Sequence, residues 1–194
     1  MILRKKSQKF ILPYSQRIKY CIVPVSEENL CDVNKPNEPF LLFGRLIPAY
    51  ADGKWTWKEE LFDIPYEKQY PVDELDYRIY IGNPNKTIFL AYADNQCAGQ
   101  IRLRRNWNKF CCIEDIAVAR QYRRMGLGTR LIDAAVQWAK DGGMPGLMLE
   151  TQDINLAACR FYQRCGFILG GVDTMLYRNF PNCKEKALFW YIIL

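Results

Sequence analysis

A glycine-rich loop with two arginines carries the clearest chemical signal in this sequence. It reads Arg123-Arg124-Met125-Gly126-Leu127-Gly128 and stands directly before a stretch with helical periodicity. Glycine lets a backbone approach a ligand closely, and the free N–H groups and dipole of a helix N-terminus attract negative charge. The loop therefore predicts a phosphate site, although two glycines before a helix also fit ordinary turn chemistry. It matches neither a P-loop, since Lys-Ser/Thr is absent, nor a dinucleotide fingerprint, since the third glycine is missing.

The groups available for acid-base chemistry are limited by what the chain lacks. Its 194 residues contain no histidine, and no serine occurs after Ser26. Ser-His and Cys-His pairs, imidazole bases and a Gly-x-Ser-x-Gly elbow are thereby excluded. We expect Asp, Glu, Tyr, Lys, Cys or water to move protons. No metal site is expected, because the eight cysteines include no Cys-x-x-Cys pair.

Length, composition and charge are typical of one globular domain, with 49% hydrophobic and 25% charged residues. The net charge is +6, but the first 20 residues hold six basic and no acidic side chains, so the rest of the chain carries 21 of each sign. A nucleic-acid or membrane partner is therefore not expected. We predict a disordered basic extension over residues 1–17 and a single domain over 18–194. The absence of a signal peptide predicts a cytoplasmic protein with reduced cysteines.

The apolar periodicity predicts a sheet that starts with a hairpin and takes helices between its later strands. Alternation predicts strands at 17–25, 87–92, 97–104, 110–118, 147–151, 169–177 and 188–194. Helical spacing predicts helices at 40–50, 127–142 and 155–166, the last with Asn155 as its N-cap. The glycine-rich loop then joins a strand to a helix.

Two segments around this loop carry a resemblance to a known family. Asp115-Ile116-Ala117-Val118 is followed by Arg123-x-x-Gly126-x-Gly128, and further along by Asn155-x-x-Ala158-x-x-Phe161-Tyr162-x-x-x-Gly166-Phe167. In order and separation they resemble the GCN5-related N-acetyltransferase (GNAT) superfamily. Further segments resemble the streptothricin acetyltransferases within it, namely 34–40, 107–108, 112–118, 146–153, 172–177 and 189–191. The resemblance covers residues 18–194. It implies an α/β (α+β) fold with a mixed, mostly antiparallel sheet of six to seven strands, helices on both faces and a splayed central strand pair.

The resemblance implies acetyl-CoA as the acyl donor. Its pyrophosphate would lie on the backbone amides of residues 124–129, and its pantetheine would pair with residues 116–118, where that strand splays from 147–151. The residues implied in cofactor binding are Ile116, Ala117, Val118, Arg123, Arg124, Met125, Gly126, Leu127, Gly128, Thr129, Asn155 and Tyr162. Tyr162 matches the position that protonates the departing thiolate, a task that suits a phenol with a pKa of about 10. Packing on the apolar face of its helix is the alternative interpretation.

Three carboxylates are candidates for the base that deprotonates the acceptor amine. Glu114 and Asp115 lie on the strand that splays, and Glu150 lies on its neighbour. Strand alternation puts Glu114 and Asp115 on opposite faces, so at most one is expected to face the slot. Glu114 is favoured because it shares a face with Ile116 and Val118. Any of the three could instead relay a water or orient a cationic substrate.

An acidic segment with aromatic neighbours indicates a cationic acceptor. Residues 58–76 contain seven carboxylates and two lysines, and Trp55, Tyr66, Glu67 and Asp73 are predicted to bind substrate. Carboxylates and aromatic faces attract ammonium groups, although a solvated acidic loop would have the same composition. The resemblance implies the β-lysine amino group of streptothricin (nourseothricin) as the acceptor, with antibiotic resistance as the result.

Other functions fit the same residues. A GNAT enzyme could act on protein N-termini or lysines, or on another aminoglycoside-like amine. A module that binds acyl-CoA or nucleic acid without turnover is the alternative of a different class. We expect a monomer or homodimer.

Overall fold

The computed structural model describes residues 20–194. The predicted basic extension, residues 1–17, lies outside the described residues, and the division into an extension and one domain stays a prediction. The strands and helices are β1 (Tyr20–Pro24), β2 (Phe40–Ala51), β3 (Lys54–Lys68), β4 (Lys86–Ala93), β5 (Gln96–Arg105), β6 (Cys111–Val118), α1 (Leu127–Asp141), β7 (Gly146–Gln152), α2 (Leu156–Arg164), β8 (Ile168–Asp173) and β9 (Ala187–Ile193). Short 3-10 turns lie at Leu30–Asp32, Tyr77–Tyr80 and Arg120–Tyr122. In this part of the chain, neither α-helix has the length and apolar character needed to cross a membrane.

Seven strands form a mixed sheet in the order β1-β4-β5-β6-β7-β9-β8. Neighbouring strands are antiparallel except β6 and β7, which are parallel. The sheet confirms the predicted fold class, and β4 and β5 form the predicted hairpin. Its turn places Asp94 and Asn95 at positive φ. Asp and Asn adopt this left-handed conformation more readily than most residues with side chains.

Helix α1 covers one face of the sheet. Its apolar residues have the predicted helical spacing and are buried in the main core with Trp190, which is fully buried. They are Leu127, Leu131, Ile132, Ala135 and Ala139. On the opposite face of β4, Ile88 and Leu90 pack against Val25 and Tyr80. The sheet is therefore covered by α1 on one face and, at β4, by a 3-10 turn on the other.

Residues 40–50 form strand β2, so the helix predicted there is wrong. The residues that face inward recur every second position, and Leu42 and Leu46 are fully buried. Apolar residues also occupy the outward positions, where Leu41 and Ile47 are exposed. Taken together, the buried and the exposed apolar residues of this strand have the spacing of a helix, which explains the wrong prediction. β2 and β3 form a separate two-stranded sheet that packs on α2, where a Cβ at Gly44 would lie 2.9 Å from Leu156.

Strand β8 ends at Asp173, four residues before the predicted end at 177. The Asp173 carboxylate accepts hydrogen bonds from the backbone amides of Met175 (2.7 Å) and Leu176 (3.0 Å). Side-chain acceptors of this kind draw the following amides into a turn and away from the strand ladder. The turn brings Tyr177 back over the sheet, towards the site described next.

Candidate active site

A deep cleft opens where strands β6 and β7 part. They pair only from Cys111–Ile113 to Leu147–Leu149, within the described residues, and then diverge. The cleft has a volume of about 1080 Å³, and residues 113–118 of β6 and 149–152 of β7 line its walls. Beyond Ile113, the backbone of β6 therefore has an open edge facing the cleft, which an extended ligand can pair with as an added strand.

The glycine-rich loop forms one end of this cleft. Gly126 has φ 85° and Arg124 has φ 64°, and a Cβ at Gly126 would find no atom within 4 Å. None of the amides of residues 124–129 donates to a backbone carbonyl in residues 20–194. Free amides at the start of α1 are the partners that an anion needs. The observed cradle fits a phosphate group.

Gly128 has a different role from the one expected of a ligand-facing glycine. A Cβ there would lie 3.1 Å from the Phe161 ring, so the missing side chain lets α1 and α2 pack closely. Leu127 is buried in the core, and Met125 is exposed outside the lining of the cleft. Leu127 and Met125 can therefore meet a ligand only through their backbone amides.

Arg123 is held by the protein itself. Its guanidinium donates to the carbonyls of Val118 (2.8 Å), Pro39 (2.8 Å) and Glu38 (3.2 Å). It thereby ties the end of β6 to the segment before β2. Arg124 is exposed and lines the cleft, so it is the arginine of this pair whose charge is available to a phosphate.

Glu114 and Asp115 both line the cleft, contrary to the prediction that alternation would send one away. The ladder with β5 pairs Leu103 with Ile113 and Arg102 with Asp115, which leaves Glu114 as an extra residue in a β-bulge. A bulge bends its strand and redirects side chains. Strict alternation therefore fails at this position.

The partners of these two carboxylates differ. Glu114 accepts from the Tyr80 hydroxyl at 2.6 Å and pairs with Arg104 at 2.8 Å. Asp115 accepts from the Gln100 side-chain amide at 2.5 Å, and burial raises its pKa. Glu114 is thus paired with a cation, whereas Asp115 is held by a neutral donor.

Glu150 and Tyr162 face the same cleft from β7 and α2. Glu150 accepts a 2.5 Å hydrogen bond from the Tyr177 hydroxyl, and burial raises its pKa. Tyr162 is buried, and desolvation raises its pKa, with Asp115 and Glu150 adding to the effect. Its hydroxyl therefore keeps its proton at neutral pH. Asn155 also lines the cleft, where its side chain caps α2 by accepting from the Ala158 amide at 3.1 Å.

Among the residues predicted to bind substrate, only Asp73 lines the cleft. Its carboxylate accepts from Arg102 at 2.6 Å. Trp55, Tyr66 and Glu67 lie on β3 outside the cleft: Trp55 packs on Tyr50, Tyr66 stacks on Phe62, and Glu67 pairs with Arg120. Most of the acidic run is thus a strand rather than a wall of the cleft.

Sequence reasoning gave no role to several residues that hold the site together. They are Tyr80, Gln100, Arg102, Arg104 and Tyr177. Tyr177 belongs to the segment 172–177 that carries the subfamily resemblance, which was the one available signal for it. The other four have ordinary strand or turn positions, and only the tertiary structure brings them to the carboxylates.

The two ends of the cleft differ in which charge is in excess. Arg123, Arg124 and Arg164 line the end at the glycine-rich loop, and in the other part four carboxylates, Asp73, Glu114, Asp115 and Glu150, outnumber the one arginine among them, Arg102. Such a distribution suits a ligand with phosphates at one end and an ammonium group at the other. Within residues 20–194, no group of three or more Cys, Asp or Glu side chains is arranged to hold a metal ion.

Comparison with known proteins agrees with this geometry. Residues 54–167 match the acetyltransferase (GNAT) family. Streptothricin acetyltransferase A of Bacillus subtilis (strain 168) is 53% identical over 170 residues, which cover 88% of this chain and 98% of that protein.

Two solved structures share the fold over most of the chain. A candidate streptothricin acetyltransferase from Bacillus anthracis str. Ames, solved in complex with acetyl coenzyme A, superposes with a TM-score of 0.83 at 37% identity and covers 91% of this chain and 98% of its own. Nourseothricin acetyltransferase superposes with a TM-score of 0.76 at 27% identity, covering 90% and 98%. The chain belongs to the GNAT family of acetyltransferases.

Proposed function

We propose that this enzyme transfers the acetyl group of acetyl-CoA to the β-lysine amino group of streptothricin antibiotics and so confers resistance to them. The observation that carries the proposal is the cleft between β6 and β7, with a phosphate cradle at one end and carboxylates at the other. The 53% identity to a streptothricin acetyltransferase supports the same substrate.

The residues of the cradle fit acetyl-CoA, which supplies an activated thioester as the acyl donor. The amides of residues 124–129 and the Arg124 side chain would hold the pyrophosphate. The open edge of β6 at residues 116–118 would pair with the pantetheine, and Asn155 lies beside the same wall. In this proposal Arg123 keeps the cradle in place and does not touch the phosphates.

Two groups of the chain would act on the thioester. The backbone N–H near Ile116 would polarise the carbonyl, since it lies at the open edge of β6. Tyr162 would give its hydroxyl proton to the departing thiolate, because burial keeps this phenol protonated. A carboxylate of the cleft would take the proton of the amine.

The acceptor amine would enter from the carboxylate side. Asp73, Asp115 and Glu150 attract an ammonium group, and the Tyr70 and Tyr177 rings lie on the same walls. The other residues predicted to bind substrate lie outside the cleft and have no part in this proposal. We place the reaction in the cytoplasm, where thiols stay reduced, because the eight cysteines are all free. The expectation of a monomer or homodimer stays a prediction.

The proposal is tested by release of CoA from acetyl-CoA with a panel of acceptors. Streptothricin should release CoA at far lower concentration than an aminoglycoside, a lysine peptide or a peptide with a free N-terminus. A sensitive bacterium expressing the chain should grow on nourseothricin. Absence of CoA release at saturating streptothricin refutes the proposed substrate, and release with peptides alone would identify a protein acetyltransferase.

A further inference from the structure

Arg102 lies among the carboxylates of the cleft, and most of its hydrogen-bond donors are unused. Its side chain is 12% exposed, and its Nη2 donates to Asp73 at 2.6 Å. Within residues 20–194 this is the only hydrogen bond of the guanidinium. Nε lies 3.6 Å from a Glu114 oxygen, which is too far for a hydrogen bond, and it is buried without a partner. A largely buried guanidinium therefore uses one of its five N–H donors.

The unused donors of Arg102 are of a kind that folded proteins rarely leave unpaired. A buried N–H without a partner has lost its hydrogen bonds to water and gained none in return. Of the three nitrogen atoms, Nη2 is engaged by Asp73 and Nε is shielded from solvent. Nη1 is therefore the nitrogen through which a molecule in the cleft can bond to this guanidinium. Its partner must carry a lone pair, as the oxygen of a carbonyl or carboxylate group does.

A chain of hydrogen bonds holds Arg102 in its position. The Tyr77 hydroxyl donates to the Asp73 carbonyl at 3.3 Å and accepts from the Asn34 side-chain amide at 2.7 Å. Asn34 is joined to Gln100 by two further hydrogen bonds, of 2.7 and 3.0 Å. The segment that carries Asp73 is thus tied to β5, the strand that carries Arg102. A ligand therefore meets a guanidinium that is already oriented, which reduces the entropy lost on binding.

The carboxylate of Asp115 lies beside this guanidinium. Asp115 is directly opposite Arg102 in the ladder between β5 and β6. Residues opposite each other on antiparallel strands share a face, and their Cβ atoms are about 5 Å apart. In the described part of the chain, the hydrogen-bond donor of the Asp115 side chain is the neutral amide of Gln100. The pair is therefore complementary to a molecule in which an ammonium group and a carbonyl oxygen lie close together.

We propose that Arg102 is a specificity-determining residue, which donates a hydrogen bond to a carbonyl oxygen of the acceptor next to the ammonium group that Asp115 attracts. This inference rests on the proposed function and deepens it, because it states which part of the acceptor is recognised besides the amine. In a β-lysyl group, a single methylene separates the carbonyl carbon from the carbon that carries the β-amine. A diamine without a carbonyl leaves the donor of Arg102 unpaired and is also repelled by its positive charge.

Two small amines that differ only in the carbonyl group test the role of Arg102. They are β-lysinamide and 1,4-diaminopentane, which is the same molecule with hydrogen in place of the amide group. Calorimetric titration of the CoA-bound enzyme measures the Kd of each amine and does not depend on turnover. Release of CoA with streptothricin is measured in parallel, so the proposed function is tested separately.

The variant R102M removes the guanidinium, and R104M is its matched control. Arg104 also pairs with Glu114, at 2.8 Å, but it does not line the cleft. Both variants therefore remove a positive charge beside the same carboxylate, and only R102M removes a donor that faces the acceptor.

The wild type should bind β-lysinamide about tenfold more tightly than 1,4-diaminopentane, or better, because the hydrogen bond has a charged donor. In R102M the two Kd values should become nearly equal, since only the binding of β-lysinamide loses a contact. R104M should keep the wild-type ratio. The KM for streptothricin should rise about tenfold in R102M, while the Kd for CoA stays unchanged.

Other outcomes overturn the inference. Equal Kd values for the two amines in the wild type, or no binding of β-lysinamide, would do so even where R102M is insoluble. A wild-type ratio in R102M would leave Arg102 with the role of holding Asp73. An equal loss of the ratio in R104M would trace the preference to charge near Glu114 and not to a hydrogen bond. A wild type that releases no CoA with streptothricin refutes the proposed substrate, and the titrations with the two amines still decide the role of Arg102.

Discussion

Replacing Arg123 by alanine should weaken the fold and leave the affinity for CoA nearly unchanged. The guanidinium makes three hydrogen bonds to main-chain carbonyls, two of them at 2.8 Å. At about 1 kcal/mol for each of the two shorter bonds, R123A should lose about 2 kcal/mol of stability. For a chain of this length, that loss lowers Tm by about 4–8 °C.

Two further variants show whether the hydrogen bonds or the charge matter. R123K keeps the charge, but one ammonium group cannot reach three carbonyls, so its Tm should fall nearly as far as that of R123A. R124A, the matched neighbour, should keep its Tm and lose CoA affinity about fivefold, since Arg124 is exposed at the cradle. Thermal unfolding and calorimetric titration with CoA measure the two effects. An R123A protein with wild-type Tm and weakened CoA binding, restored in R123K, would refute the reasoning.

Three other substitutions test the site and the sheet that carries it. Y162F should lose kcat by about a hundredfold at an unchanged Kd for CoA, because it removes the proposed acid and little else; an unchanged kcat in steady-state assays would exclude that role. G146A should prevent soluble expression, since its Cβ would lie 2.0 Å from the Ile192 carbonyl oxygen in β9, and a folded G146A by circular dichroism would contradict the pairing of β7 with β9. G126A should lower stability by about 1 kcal/mol through its positive φ alone, and denaturant unfolding would contradict this if G126A matched the wild type.

The sequence correctly predicted the elements whose apolar residues all lie on one buried face. Helix α1 and the hairpin of β4 and β5 each bury one face, so their periodicity could be read directly from the sequence. Strand β2 carries apolar residues on both faces and a bulge between Leu42 and Gly44, and its periodicity therefore indicated a helix. The error arose because exposed residues such as Leu41 looked like part of a buried face.

The positions of side chains in the site depended on contacts that lie far apart in the sequence. The bulge at Glu114 arises from the pairing of β6 with β5, and the residue type at that position does not predict it. Arg123 looked like a phosphate ligand because its carbonyl partner Pro39 lies 84 residues earlier in the chain. Tyr177 reaches Glu150 only because the chain turns after Asp173. The motifs indicated which residues line the cleft. The tertiary structure determines which of these residues are already hydrogen-bonded to other parts of the protein.

The central claim is most directly tested by identifying the product formed from acetyl-CoA and streptothricin. Mass spectrometry with fragmentation of the purified product shows whether an acetyl group was added and to which nitrogen. Our account predicts one acetyl group on the β-lysine side chain, formed in step with CoA release and about a hundredfold more slowly in Y162F. Unmodified streptothricin after prolonged incubation, or an acetyl group on any other part of the antibiotic, would contradict it.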